Sequence, residues 1–287
     1  MASAQNSHAT LGALLAIGQA KLQDLSDSSR LDAELLLQLA TGFDRATLYA
    51  NPERITADQS IDQYLQLIET RATGMPVSYL TGEREFWSLP MAVNQHTLIP
   101  RPETEALVEQ ALQRIPLVGN CQVLELGTGS GAIAAALASE RPECRFVATD
   151  NSPGALEVAA INFATLCPDR IELMNSDWYA NLSADNQYSL IVSNPPYIAG
   201  DNAVTTDREL AFEPRDALYS GPDGLNAIHI IIDQAPAYLM TAGWLMLEHG
   251  FNQNTQVAEI LQRKGFSEIK CYSDSAGLPR VTEGRLA

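Results

Sequence analysis

Four consecutive residues, Asn194-Pro195-Pro196-Tyr197, set an amide side chain, two rigid rings and a flat aromatic directly after an apolar run, Tyr188 to Ser193. Such a loop suits a planar NH2 group. The nitrogen of an amide or a nucleobase amino group is a poor nucleophile, because its lone pair is delocalised. An Asn194 side-chain oxygen and a Pro195 carbonyl, each accepting one N–H, would orient that nitrogen and favour the charge developing on it. Proline fixes the turn and offers a carbonyl with no competing N–H. Tyr197 supplies a flat apolar wall. Asn194, Pro195 and Tyr197 are therefore the candidate catalytic residues, and Pro196 completes the substrate-binding loop.

A second signal stands upstream, Glu125-Leu126-Gly127-Thr128-Gly129-Ser130-Gly131, again just after an apolar run. Strand, glycine-rich turn, helix is a nucleotide-binding arrangement. Asp150 ends the next strand-like run, where a carboxylate accepts from a ribose diol. The glycines alternate and depart from the G-x-G-x-x-G spacing of dinucleotide sites, which favours S-adenosylmethionine, a sulfonium cation without phosphate. Gly127, Thr128, Gly129, Ser130, Gly131 and Asp150 are its expected ligands. Asp177 could accept from the adenine amino group and Trp178 could pack on the ring; Asn194 adjoins the same cofactor. Methyl transfer from a sulfonium needs no general base to begin. Alignment of nitrogen, methyl and sulfur can supply on the order of 7–11 kcal/mol, against about 1 kcal/mol net for a neutral hydrogen bond. Proximity dominates and the asparagine steers.

The elements that must position these loops fall into two parts. From Leu11 to about Thr73 the pattern is helical: one helix from Leu11 to Leu22, a second from Ser28 or Ser29 with Leu31, Ala33, Leu35, Leu36, Leu37 and Leu39 on its apolar side, and a third opening at Thr56-Ala57-Asp58. Val77 to Leu80, the Thr81-Gly82 turn and Phe86 to Leu89 predict a linking hairpin. From Glu103 onward strands and helices alternate, which predicts an α/β fold with a parallel sheet covered on both faces. Strands are expected at Gln122 to Leu126, Arg145 to Thr149, Ile171 to Met174, Tyr188 to Ser193 and Trp244 to Glu248, with helices at Ala106 to Leu112, Gly131 to Ser139, Pro153 to Leu166, Leu225 to Leu239 and Thr255 to Arg263. Two closely spaced strands near Glu268 to Tyr272 and Arg280 to Gly284 make an antiparallel end. Ala199 to Arg215 lacks periodicity and is expected to be mobile without a partner.

The formal charge of −17 over 287 residues argues against nucleic acid as a partner, since that affinity comes largely from Lys and Arg neutralising phosphates. It suits a small molecule or a basic protein. The polar start, Met1 to Thr10, lacks a secretion signal's pattern, and no apolar run reaches membrane-spanning length. Cys121, Cys144, Cys167 and Cys271 are scattered, which predicts reduced, mostly buried thiols in a cytoplasmic protein and no metal site. None of His8, His96, His229 and His249 is assigned a catalytic role.

The sequence resembles the release-factor glutamine methyltransferases, the PrmC/HemK family, over nearly its whole length. The resemblance rests on Arg84-Glu85-Phe86-Trp87, Ile99-Pro100-Arg101-Pro102-Glu103-Thr104, the glycine loop, Ser176-Asp177-Trp178, Asn194 to Ile198, Phe212-Glu213-Pro214, Leu247-Glu248-His249-Gly250 and the segment Asp274 to Arg285. It implies a seven-stranded, Rossmann-like class I methyltransferase domain (102–287), preceded by a helical substrate-recognition domain (1–74) and a β-hairpin linker (75–101). It also implies methyl transfer to the glutamine of the Gly-Gly-Gln motif in class 1 peptide release factors, giving N5-methylglutamine and S-adenosylhomocysteine; separately, a cytoplasmic monomer is expected. Arg101 is expected near the substrate. Glu213 is expected either to brace its loop or to touch substrate. Leu278-Pro279 departs from the family pattern, in a loop expected to stand far from the chemistry. Three alternatives share parts of these signals. A nucleic-acid amino methyltransferase would use both loops but conflicts with the charge. A dinucleotide oxidoreductase conflicts with the glycine spacing, and a non-catalytic binding module conflicts with the completeness of both loops.

Overall fold

The computed structural model describes residues 9–26, 28–117, 119, 121–200 and 208–287. The chain divides into two compact units, Met1–Gly82 with Thr205–Phe212, and Glu83–Val204 with Glu213–Ala287. Most of the polar start and part of the aperiodic Ala199 to Arg215 segment lie outside the described residues. Within the remainder of that segment, Leu210–Phe212 and Arg215–Ala217 form single 3-10 turns.

The first unit is helical: α1 (Leu11–Leu22), α2 (Ser29–Thr41), α3 (Arg45–Ala50), α4 (Asp58–Ala72) and α5 (Val77–Thr81). Caps set its boundaries. The Thr10 hydroxyl accepts from Ala13 N at 3.3 Å, Gly42 closes α2 in the left-handed conformation, and the Asp44 carboxylate accepts from Thr47 N at 2.8 Å, as orphan helix-end groups require. Leu14, Leu36, Leu37, Tyr64 and Ile68 meet in its core. The expected apolar side of α2 splits. Ala33, Leu36, Leu37 and Ala40 are buried, whereas Leu31, Leu35 and Leu39 remain 45%, 37% and 42% exposed. Buried Arg71 pairs with Asp32 at 2.9 Å and with Glu209 at 2.5 Å.

Val77 to Leu80, expected as a strand, is the helical turn α5. Pro76 stands at its entry and left-handed Gly82 closes it, so Gly82 ends a helix and does not turn a hairpin. The hairpin lies one step on, β1 (Glu83–Phe86) against β2 (Leu89–Ala92). Its turn is Trp87-Ser88, with φ of 53° and 58°, the paired positive values of a two-residue hairpin turn.

In the second unit α6 (Glu105–Arg114), β3 (Gln122–Leu126), α7 (Ala132–Glu140), β4 (Arg145–Asp150), α8 (Pro153–Leu166), β5 (Ile171–Asn175), β6 (Tyr188–Ser193), α9 (Asn226–Gln234), β7 (Leu239–Glu248), α10 (Asn254–Arg263), β8 (Phe266–Ser273) and β9 (Pro279–Leu286) follow in order. The sheet runs β5-β4-β3-β6-β7-β9-β8, with β9 antiparallel to both its neighbours and the others parallel. One face packs on α6, α7 and α8 and the other on α9 and α10. The helix expected to run to Leu239 stops at Gln234. A 3-10 turn containing Pro236 follows, and Leu239 already belongs to β7. Proline cannot continue the hydrogen-bond ladder.

The thiol expectation is corrected at two positions. Cys121 and Cys144 form a disulfide, joining the residues that precede β3 and β4, whereas Cys167 and Cys271 are free, the first buried and the second exposed.

Candidate active site

Strand order places the two signature loops side by side. The chain leaves β3, builds the sheet outward through β4 and β5, then returns to lay β6 on the other side of β3. The carboxyl ends of β3 and β6 therefore adjoin at the point where strand order reverses, the binding position of open α/β sheets. Leu126 pairs with Ser193 across that point, and the Ser193 hydroxyl donates to Leu126 O at 2.7 Å. A cavity of about 430 Å³ opens there, lined by both loops.

The glycine loop is built largely from its own neighbourhood. Thr128 N donates to Thr149 O and Gly131 N to Thr128 O, both at 2.8 Å. Gly127 and Gly129 take φ of 67° and 56°, which glycine adopts without strain. An added Cβ at Gly127 would only reach ordinary contact with the Trp178 ring, at 3.5 Å, so the positive φ is what calls for glycine there. Asp150 braces the loop from β4: Oδ2 accepts from Gly129 N at 2.8 Å and Oδ1 from Ser152 N at 2.9 Å. Burial raises its pKa against those donors. Glu125 is more deeply buried. Its Oε2 accepts from the Thr128 hydroxyl at 2.7 Å and Ala134 N at 3.0 Å, while Oε1 has no partner among the described residues. Burial pushes this carboxyl up to about 8.

These residues fit S-adenosylmethionine better than a dinucleotide. Glu125, Asp150, Asp177 and Asp216 all line the cavity. Arg101, the one lining guanidinium among the described residues, is paired with Glu213. A pyrophosphate would face carboxylates without a free cation, whereas a cationic ligand is matched by them, the orphan Glu125 oxygen included.

The acceptor loop is held from outside. Asn194 donates through Nδ2 to the Thr104 hydroxyl at 3.2 Å. Ile198 bridges to Tyr219, with Ile198 N on Leu218 O at 2.9 Å. Gln253 donates to Tyr197 O at 3.1 Å. The Tyr197 hydroxyl approaches Glu248 Oε1 at 3.4 Å, and burial raises the phenol's pKa.

Most of the chain matches known sequences. Residues 13–82 match the PrmC N-terminal domain and residues 103–276 the methyltransferase small domain. Release factor glutamine methyltransferases from Salmonella typhimurium and Escherichia coli K12 are 45% and 43% identical, covering 91% of this chain and 94% and 93% of theirs. A solved methyltransferase from Pyrococcus furiosus, 19% identical, superposes with a TM-score of 0.51 over 69% of this chain and 88% of its own, a likeness of fold.

The chain belongs to the release factor glutamine methyltransferase family.

Among the residues singled out from sequence, Arg101, Gly127, Thr128, Gly129, Ser130, Asp150, Asp177, Trp178, Asn194, Pro195 and Pro196 line this same cavity. Gly131 and Tyr197 do not. Gly131 is the residue before α7, with φ 84° and its Cα against the Phe163 ring. Tyr197 stands behind the loop with its hydroxyl toward Glu248. Glu213, left open between two roles, is a brace: Oε2 accepts from Ile99 N at 3.0 Å and Oε1 from Arg101. The closing segment is nearer the chemistry than expected. Leu278 is exposed, but Arg280 acts electrostatically on both Tyr197 and Glu248.

Sequence reasoning missed Glu125, Thr104, Glu248, Gln253 and Asn162. Asn162 donates to Ser130 O at 2.8 Å and exchanges two hydrogen bonds with the Ala92 backbone, tying the glycine loop to β2. A polar residue on an otherwise apolar helix face was the available signal for Asn162, and the acidic residue ending an apolar strand for Glu125 and Glu248.

Proposed function

We propose that this chain transfers a methyl group from S-adenosylmethionine to the side-chain amide nitrogen of the glutamine in the Gly-Gly-Gln motif of class 1 peptide release factors. The observation that carries the reading is the shared cavity, where an amide-holding loop and a glycine loop with acidic lining meet at adjoining strand ends. The relatives' names point to the same substrate.

Bound S-adenosylmethionine supplies a methyl group on a sulfonium, already electrophilic. Gly127 to Ser130, Asp150, Asp177 and Trp178 hold and orient it. The Asn194 side-chain oxygen and the Pro195 carbonyl would accept the two N–H groups of the glutamine amide, turning its nitrogen toward the methyl and favouring the charge developing there; as the N–C bond forms the S–C bond breaks, the thioether leaves as S-adenosylhomocysteine and one N–H proton is released to water. Pro196 and Tyr197 keep the loop rigid. Arg101, tied to Glu213, fixes the entry to the cavity. The helical unit is the docking module for the release factor, a role that the exposed row Leu31, Leu35 and Leu39 on α2 supports. We place the enzyme in the cytoplasm as a monomer; the Cys121–Cys144 bridge is unusual for that compartment.

The test is transfer of labelled methyl from S-adenosylmethionine to a purified release factor, beside its Gly-Gly-Ala variant and bulk RNA and DNA. Label confined to the wild-type factor is expected. Label on nucleic acid would move the chain to the amino methyltransferases acting there.

A further inference from the structure

Helix α8 supports two walls of the cavity from behind. One wall is the glycine loop. Asn162 Nδ2 donates to Ser130 O at 2.8 Å, and the next residue, Phe163, lies against Gly131, where an added Cβ would clash with the ring. The other wall is the stretch 93–101 that leaves β2, whose His96, Thr97, Leu98, Pro100 and Arg101 line the cavity. Asn162 grips the start of that stretch as a neighbouring strand would: Nδ2 donates to Ala92 O at 3.0 Å and Oδ1 accepts from Ala92 N at 2.8 Å. The His96 ring packs on Gly154, in the first turn of α8. Asn162 is 2% exposed, and neither it nor Ala92 lines the cavity.

The partners decide which way this amide points. Two are carbonyls and the third is an N–H, so the flipped amide would set its oxygen against two oxygens and its NH2 against a donor. The peptide between Ser130 and Gly131, whose carbonyl Asn162 takes, is the soft joint of the glycine loop. Gly129 and Gly131 stand on either side of Ser130 with φ of 56° and 84°, and glycine takes either sign of φ at little cost. That peptide could therefore turn over and swing its carbonyl out of place. Two contacts oppose this. Gly131 N donates to Thr128 O at 2.8 Å from within the loop, and Asn162 holds the carbonyl from outside it.

We propose that Asn162 is a positioning residue for the cofactor, which fixes the Ser130 carbonyl toward α8 and joins the glycine loop to the wall that begins at Ala92. The inference rests on the reading of this cavity as the S-adenosylmethionine site. One side chain thus sets both the shape of the loop and its distance from the facing wall. A ligand that orders the glycine loop also orders Ala92, which it does not touch, because both ends of the joint are the same amide group.

Amide hydrogen exchange and calorimetric binding of S-adenosylmethionine test this, with the thermal midpoint measured on each protein. In the wild type the cofactor should slow exchange at the Ala92 amide as well as at Gly131. Asn162→Asp keeps the shape and the acceptor for Ala92 N, and as a carboxylate it loses both donations. It should bind S-adenosylmethionine about tenfold more weakly, the scale for a buried carbonyl left without its donor. The KM for S-adenosylmethionine should rise by the same factor while the KM for the release factor holds, and the cofactor's effect on Ala92 exchange should vanish. A lowered thermal midpoint with unchanged cofactor affinity in Asn162→Asp would overturn the positioning role, as would an Ala92 amide indifferent to cofactor in the wild type; both leave the methyltransferase reading intact. The wild-type exchange measurement decides even where the variant fails to fold. A wild-type enzyme that binds no S-adenosylmethionine would overturn both.

Discussion

The two loops that face each other across the cavity are stabilised in opposite ways. The glycine loop is held mostly from nearby: Glu125 bonds Thr128 and Ala134, 3 and 9 positions on, Asp150 bonds Gly129 from 21 positions away, and the longest reach is Asn162 to Ser130 at 32. The acceptor loop is held by residues 90, 56 and 51 positions away, Thr104, Gln253 and Glu248. A loop that binds a constant cofactor can be encoded as a local motif. A loop that must aim one amide at one nitrogen draws its rigidity from the surrounding domain. The first should fail when its own residues change, and the second also when its remote supports change.

The largest effect is expected at the acceptor loop itself. Asn194→Ala removes the acceptor for the substrate N–H and should lower methyl transfer on the order of 10²- to 10³-fold, the scale for losing one preorganised transition-state contact. Cofactor affinity should hold within a few-fold. Steady-state transfer beside calorimetric binding of S-adenosylmethionine measures both, and a parallel collapse of affinity would erase the distinction between the loops.

The same contrast decides what was legible in the sequence. β3, α8 and β6 are read to the residue, because each is an apolar run bounded by Gly, Pro or a capping Ser, signals that act within a few positions. The glycine loop and Asn194 to Tyr197 are legible for the same reason. Val77 to Leu80 was misread because a four-residue apolar run has no period to separate strand from helix; Pro76 and left-handed Gly82 decide it. Thr104 and Gln253 are ordinary polar residues in sequence, Glu248 shows only as the acidic end of an apolar strand, and it takes folding to bring all three to the acceptor loop. The exposed row on α2 escaped for a related reason, since a helix with apolar residues nearly all round does not reveal which of them the core takes.

A pair of glycine substitutions sharpens the comparison at intermediate size. Gly131, at φ 84°, lies against the Phe163 ring, and Gly224, at φ 77°, lies against the Tyr197 carbonyl. An added Cβ strains either backbone by about 1–3 kcal/mol and displaces a different loop. Gly131→Ala should weaken S-adenosylmethionine binding roughly tenfold, the binding equivalent of about 1.4 kcal/mol. Gly224→Ala, some 27 positions from the carbonyl it would push (about one secondary-structure unit and its turn), should slow transfer by a similar factor and leave binding alone. Identical phenotypes would mean that the loops move as one body.

The smallest effect concerns a feature the two loops share, a buried carboxylate with one unpartnered oxygen. Burial pushes Glu125 from 4.5 to about 8 in the folded chain. Below the unfolded value both states hold the proton. As pH rises, the unfolded chain releases it first, so stability is lost progressively up to the folded value and then levels off. Glu125→Gln, neutral throughout, should therefore gain thermal midpoint over wild type as pH goes from 4.5 to about 8. S-adenosylmethionine should reverse the preference: a cation beside the ionised carboxylate makes wild-type affinity climb with pH through about 8, while the variant stays flat. A flat wild-type profile would place the cofactor's charge away from Glu125 and leave the unpartnered oxygen as a cost of the fold alone.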